Sequence, residues 1–431
     1  MQTERSLKIK AIIFANRRYW SQPEVLDQAF SAILANLNSR GIENVSLCTA
    51  PDQVPQEPQD GVLLAVPISG AVQRWLLDTA AQYRQVLLLA AYVEGIFDAR
   101  LTSQLLYANA APTFAECWSQ LRQHHPHARA LITAGQLDKT LELYRAAKSV
   151  RNARIVSIGE MEPWVLSPSR DPHAYKQVGP DVVFLPQEEL LSAYERTSEE
   201  AAKEIADRYW SNAQKVVEPS YDDMLQAGKL AAAIETVLKD NHADAAAIAC
   251  FNLLDPAGTS SCIGVSDLNT ANQTLIACEG DLDSALTMLM LKQVSDSNLW
   301  MANPAFHPDG SIFYSHCTAP TQTCQGCSLP YSLRNHHESG IGVSIQTELP
   351  VGRKVTIARY SSMNQALFVM LGESFEGAYK PVCRTQLNVR LEDPKFFLDN
   401  LLGCHQVIAF EDCKQEMVDL ASILGIDVIT N

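Results

Sequence analysis

The chain has 431 residues, 47% of them hydrophobic and 19% charged, which is the make-up of a globular protein too long for a single core. Its 49 acidic and 34 basic residues leave a net charge of −15, which excludes a basic nucleic-acid footprint and disfavours an anionic membrane surface. The opening stretch MQTERSLKIKAIIFANRRYW has an apolar run too short for a signal peptide, and no run reaches the length of a membrane span, so a cytoplasmic protein is expected.

The first part alternates strands and helices. LKIKAIIFA, NVSLCTA, DGVLLAVP, QVLLLAA and ARALITAG read as strands. PEVLDQAFSAILANLNSRG and AVQRWLLDTAAQY read as helices between them, and another follows the last strand. Near-continuous apolar strands separated by helices imply a parallel sheet covered on both faces, here over residues 1–150. A second α/β unit, 151–296, opens with the strand ARIVSIGEMEPWV and passes through a polar loop, LSPSRDPHAYKQVGPD. Helices are expected at about 187–215 and 220–240, then the strand ADAAAIACFNLL, a loop DPAGTSSCIGVSDLNTANQ, the strand TLIAC and a helix over 282–295. From 297 to 431 the pattern changes to short strands with turn signals (GIGVSIQTEL, KVTIARYS, QALFVMLGES, TQLNVRLE), which favours an antiparallel, barrel-like domain closed by a helix and the strand GIDVIT. The expected fold is therefore two Rossmann-like parallel-sheet α/β domains followed by a β-rich, barrel-like C-terminal domain.

The chemistry-bearing positions are few. Glu279 stands at the carboxyl end of TLIAC, where ligands bind in α/β sheets, beside runs built for burial. Asp281 precedes a helix and has the position of an N-cap. Asn303 is expected in a short loop, with Trp300 beside it as a core residue or a platform for a sugar face. His316 ends the strand SIFYSH, and His405 follows Gly403. One carboxylate and two imidazoles make a donor set for a divalent ion such as Mn²⁺, Fe²⁺ or Zn²⁺. Arg384 could hold a substrate oxygen or sit in a salt bridge. The eleven scattered cysteines fit a reducing compartment better than a disulfide framework. The Cys324-x-x-Cys327 spacing could be half of a zinc knuckle, with only His336 and His337 nearby, or a loop with incidental cysteines. There is no dinucleotide fingerprint, Walker A sequence or nucleophile elbow.

Taken in order, ACEGDLDSALTMLM, WMANP, SHCTAP, KVTIAR, CRTQLNV and GCHQVIAFED resemble the fucose isomerase-like proteins, relatives of L-fucose and L-arabinose isomerases. The likeness is clearest from about Asp222 to Asp412. It implies a three-domain homo-oligomer, a trimer or hexamer, with its active site at the domain junction. The implied reaction is aldose–ketose isomerisation of a sugar through an ene-diol, with a divalent metal, usually manganese. By that resemblance Glu279 matches a metal-binding carboxylate with an acid/base role, His405 the late histidine ligand, and His316 an additional histidine. Asn303 stands where those isomerases carry a second metal-binding carboxylate. An amide oxygen bears no charge and cannot act as a base, so Asp281, a residue of SRDPHAY or a neighbouring subunit would have to stand in. Two other readings stay open: a non-catalytic sugar-binding or regulatory homologue, and an epimerase or lyase that uses the same intermediate.

Overall fold

The computed structural model describes residues 8–20, 22–93, 96–97 and 104–431. It separates into two compact units, 1–148 and 149–431. In the first, strands β1 (Ile9–Phe14), β2 (Val45–Cys48), β3 (Gln59–Pro67), β4 (Tyr83–Leu89) and β5 (Ala128–Leu131) form an all-parallel sheet in the order β2-β1-β3-β4-β5. The central runs Ala11–Ala15, Val62–Val66 and Val86–Ala91 are fully buried, as strands must be when helices cover both faces.

The second unit begins in chain order with β6 (Arg154–Ile158), β7 (Asp181–Leu185), the short β8 (Lys215–Val216), β9 (Ala245–Ile248) and β10 (Leu275–Ala277). Four of these form a parallel sheet in the order β10-β9-β6-β7. The strands that follow are β11 (Trp300–Phe306), β12 (Ile312–His316), β13 (Tyr331–Arg334), β14 (Ser344–Thr347), β15 (Lys354–Ser361), β16 (Ala366–Phe375), β17 (Thr385–Leu391), β18 (Gln406–Ala409) and β19 (Asp427–Ile429). Six of them close into an antiparallel barrel, β15-β18-β11-β12-β17-β16, because β15 also pairs with β16. The last strand, β19, adds to β16 in parallel. The barrel is filled by alternate residues of its strands, among them Trp300, Ala302, Tyr314, Ile357, Phe368 and Val389. The order β14-β13-β8 makes a small separate sheet.

The helix Leu282–Lys292 explains its own composition. Every residue from Leu282 to Leu291 is buried, because the helix lies between β9 and β10 of the parallel sheet and β15 and β18 of the barrel. A helix with two such neighbours has no solvent face to keep polar.

Three local expectations are corrected. The stretch 187–215 is two helices, Gln187–Arg196 and Glu199–Asn212; Ser198 caps the second through its hydroxyl and the amide of Ala201. The stretch after β9 is not a loop but includes the helix Cys262–Ala271. Its polar residues are buried yet satisfied: Ser266 donates to the Ala319 carbonyl, and Asn269 bonds both the carbonyl and the amide of Ile276. Tertiary bonds override a weak helical propensity there. Asn303 lies inside β11 rather than in a loop. Among the described residues, no helix is long and apolar enough to cross a membrane.

Candidate metal centre

The turn from β10 into the buried helix sets the site. Glu279 has φ +60° and Gly280 φ +70°, so two successive residues are left-handed. Glycine tolerates this conformation; a glutamate held there stores about 1–3 kcal/mol of strain, a pattern concentrated at functional sites. The turn is tied down by Gly280 N–H to the Ile248 carbonyl (2.9 Å) and by Glu162 N–H to the Glu279 carbonyl (3.1 Å). A Cβ on Gly280 would lie 2.6 Å from the Met161 backbone, so only glycine lets these segments meet.

The turn points the Glu279 carboxylate at two histidines from the barrel. Its Oε1 lies 3.4 Å from His405 Nε2 and 3.7 Å from His316 Nε2, and its Oε2 accepts from Trp164 Nε1 at 2.7 Å. One donor atom from each of Glu279, His316 and His405 lies within 4.8 Å of the other two. His316 comes from the end of β12 and His405 from the lead-in to β18, strands that flank β11 on either side.

Each imidazole is oriented from behind. His405 Nδ1 donates to Asp281 Oδ2 at 2.7 Å, and His316 Nδ1 shares a hydrogen bond with Thr318 Oγ1 at 2.9 Å. His405 is 1% exposed, and its Nε2 is a buried polar atom with no hydrogen-bond partner. A nitrogen left so, its ring fixed through the other nitrogen by a carboxylate, has the arrangement of a metal-ligating histidine. The three residues thus fit a divalent ion by their chemistry, their burial and this unfilled nitrogen.

Behind the ligands lies a buried charge cluster. Asp281 accepts from Ser284 N–H (2.9 Å) as the helix N-cap, and from His405 and Arg359 (2.7 Å each) through Oδ2. Arg359, itself fully buried, also bonds Ser284 Oγ (2.6 Å) and Ser167 Oγ (3.0 Å) and stands 3.7 Å from Asp283. Asp283 accepts from Tyr175 OH (2.9 Å) and Ser362 N–H (3.2 Å).

One guanidinium between two carboxylates cannot keep both ionised equally well. Burial opposes ionisation of each. Arg359 and His405 hold Asp281 below the usual carboxylate range, whereas burial with Asp281 nearby pushes Asp283 up to about 6. Glu279 is likewise opposed by burial but held below the usual range by His316 and His405. For His405, burial alone would lower the pKa; the Asp281 and Glu279 carboxylates on either side hold it well above that of a free imidazole.

The remaining sequence-based candidates fall elsewhere. Asn303 pairs with Ser315 across β11 and β12, which puts it on the sheet face opposite to His316. Trp300 is fully buried in the barrel core and presents no face to a cleft. Arg384 donates to the Asn335 carbonyl at 2.8 Å. Asp281 has both oxygens engaged and no exposed surface. Cys324 and Cys327 are disulfide-bonded, and His336 turns to Glu338 instead.

Two residues near the ligands were not anticipated. Glu162, 1% exposed, accepts from Phe251 N–H at 3.0 Å; burial pushes its pKa up, and the charge of Glu279 adds to this. Trp164 packs edge-on against Phe251 with ring centroids 5.0 Å apart, and is half exposed. The signal for Glu162 was there: it follows a buried strand, as Glu279 does.

A cavity of about 780 Å³ opens at the carboxyl ends of β6 and β7, lined by Gly159, Glu160, Met161, Arg170, Gln187 and Leu282 among others. Met161 and Leu282 also flank Glu162 and the Glu279 turn in sequence. No family model matches this chain, and no curated protein matches it either.

Proposed function

We propose that this protein is a metal-dependent aldose–ketose isomerase of the fucose isomerase-like kind, acting on a monosaccharide or sugar derivative. The observation that carries the reading is the convergence of Glu279, His316 and His405, with the buried His405 Nε2 making no hydrogen bond, 3.4 Å from the Glu279 carboxylate, and its ring fixed by Asp281. These three would hold the ion; their mixed oxygen and imidazole donors suit Mn²⁺, Fe²⁺ or Zn²⁺, and the resemblance favours Mn²⁺ among them. When bound, the ion supplies Lewis-acid stabilisation of the charge that develops on O1 and O2 of an ene-diolate.

The chain's own residues divide the remaining work. Asp281 positions His405. Glu162 is the candidate proton carrier between C2 and C1, since a buried carboxylate with a raised pKa is poised to take and return a proton. It would supply the second carboxylate that the resemblance calls for and that Asn303 does not provide. Trp164 and Phe251 offer an apolar wall for the C–H face of a sugar, and the polar lining of the neighbouring cavity has room for its hydroxyls.

The test needs no knowledge of the sugar's identity. Protein freed of metal and reloaded with Mn²⁺ is incubated with a panel of aldoses in deuterated water, and exchange of the C2 proton is followed by NMR. At least one sugar exchanges with the wild type; Glu279→Gln loses both bound manganese and exchange, while Glu162→Gln keeps manganese and loses exchange by roughly 100-fold or more. Unchanged metal content and exchange in Glu279→Gln would sink the proposal.

A further inference from the structure

We propose a second divalent-cation site, of a zinc-binding kind, formed by Cys317 Sγ, Cys383 Sγ and the carboxylate of Glu338. It does not depend on the isomerase reading. One donor atom from each residue lies within 4.8 Å of the other two. Both cysteines are free thiols, and Cys383 Sγ–H donates to Glu338 Oε1 at 3.2 Å.

The fold brings these residues together. Strands β12 and β17 pair antiparallel with His316 opposite Thr385, so the chain leaves the barrel at Cys317 beside the point where it enters through Cys383 and Arg384. Arg384 then fastens a third segment, donating to the Asn335 carbonyl of the loop that bears His336 and Glu338. Within that loop, His336 is 7% exposed. Its Nε2 lies 3.2 Å from Glu338 Oε2 and its Nδ1 bonds Ser339 Oγ at 2.9 Å. The carboxylate is thereby held from its far oxygen while the near one faces the sulfurs, as expected of a metal-binding carboxylate.

Burial is graded in the way a loadable site requires. Cys317 is 3% exposed, Cys383 is half-buried and the Glu338 side chain is 45% exposed, so an ion can enter past the carboxylate. Two thiolates and one carboxylate favour a soft or borderline ion and leave a fourth, tetrahedral position for water. Binding releases the two thiol protons to solvent. The donor set differs from that of the first centre, which holds no sulfur, although His316 and Cys317 are neighbours in sequence.

Cobalt(II) reports on this directly, because only thiolate ligation gives an intense sulfur-to-cobalt charge-transfer band. The full-length protein carrying Cys324→Ser and Cys327→Ser, so that the reductant frees no second thiol pair, is stripped with a chelator, kept reduced with a phosphine, and titrated with Co²⁺ and then with Zn²⁺. The expected result is a saturable charge-transfer band that Zn²⁺ abolishes, retained in Glu279→Gln and lost in Cys383→Ser. In Glu338→Gln the affinity falls by roughly tenfold or more. As a measurement on the unmutated chain, alkylation of Cys383 followed by peptide mass mapping slows at least tenfold with Zn²⁺ present. Absence of the band, its survival in a folded Cys383→Ser protein, or alkylation indifferent to zinc overturns the proposal. So does a Cys317–Cys383 disulfide that persists under the reductant.

Discussion

Asp281 shows how one side chain can serve three partners. It caps a helix, pairs with a buried arginine and orients a histidine ring, and these duties leave it no lone pair turned toward a substrate. Its effect on chemistry is therefore indirect and measurable. In Asp281→Asn the charge behind His405 is removed, and affinity for Mn²⁺ should drop by roughly 10–100-fold, the usual penalty for losing such a support. Competition against a chromogenic chelator measures it, and an affinity within twofold of wild type in a folded variant would show that His405 needs no such support. Asp283 makes a different prediction. Its folded-state pKa of about 6 stands above the 3.8 of a free carboxyl, so between those values the folded protein holds a proton that the unfolded chain has released. Stability from this group falls as pH rises through that window and levels off above it, by at most about 3 kcal/mol. Urea denaturation at several pH values should find that Asp283→Asn lacks this decline. An identical pH profile in both proteins would place the proton elsewhere.

At the level of elements, the strands and helices of the first unit and the barrel strands could be read from the sequence because burial there follows simple periods. Continuous apolar runs mark β3, β4 and the first part of β16, and alternation of apolar and polar residues marks β17. Where long-range bonds decide, the reading fails. The helix Cys262–Ala271 carries glycine, serine, asparagine and valine in positions that look like a loop until Ser266 reaches Ala319 across the fold and Asn269 bonds Ile276 of the following strand. The same contrast runs through the candidate site. Glu279 was legible as an acid set among apolar residues at a strand end. Arg359 carries the same signal, an ion in the middle of KVTIARYS, and its meaning appears only once Asp281 and Asp283 stand beside it. Asn303 looked equivalent to a ligand by order in the chain, but register decides which face a strand residue occupies, and β11 turns it away from His316. The left-handed pair Glu279–Gly280 had half a signal: the glycine could be seen, whereas strain on the glutamate exists only in the folded turn.

Across the whole second unit, the three ligands come from parts of the chain that are separate until it folds. Glu279 follows β10 of the parallel sheet, while His316 and His405 belong to the barrel, and the buried helix 282–292 lies between those layers. An ion bound by all three therefore links sheet to barrel and binds the folded state far better than the unfolded chain. Ligand at about 100 times its dissociation constant adds about 2.7 kcal/mol to folded stability. For a unit of this size that corresponds to a rise of roughly 4–5 °C in the unfolding midpoint. Near-ultraviolet circular dichroism of the full chain should detect it, since Trp164 donates to Glu279 itself and Trp300 packs in the barrel core. Removing the metal with a chelator should reverse the rise. In His405→Ala the sheet-side ligand remains but the link to β18 is cut, so Mn²⁺ at the same concentration should move the midpoint by under about 2 °C. A wild-type midpoint indifferent to Mn²⁺, or an equal rise in His405→Ala, would mean that the ion does not join the two layers through these residues.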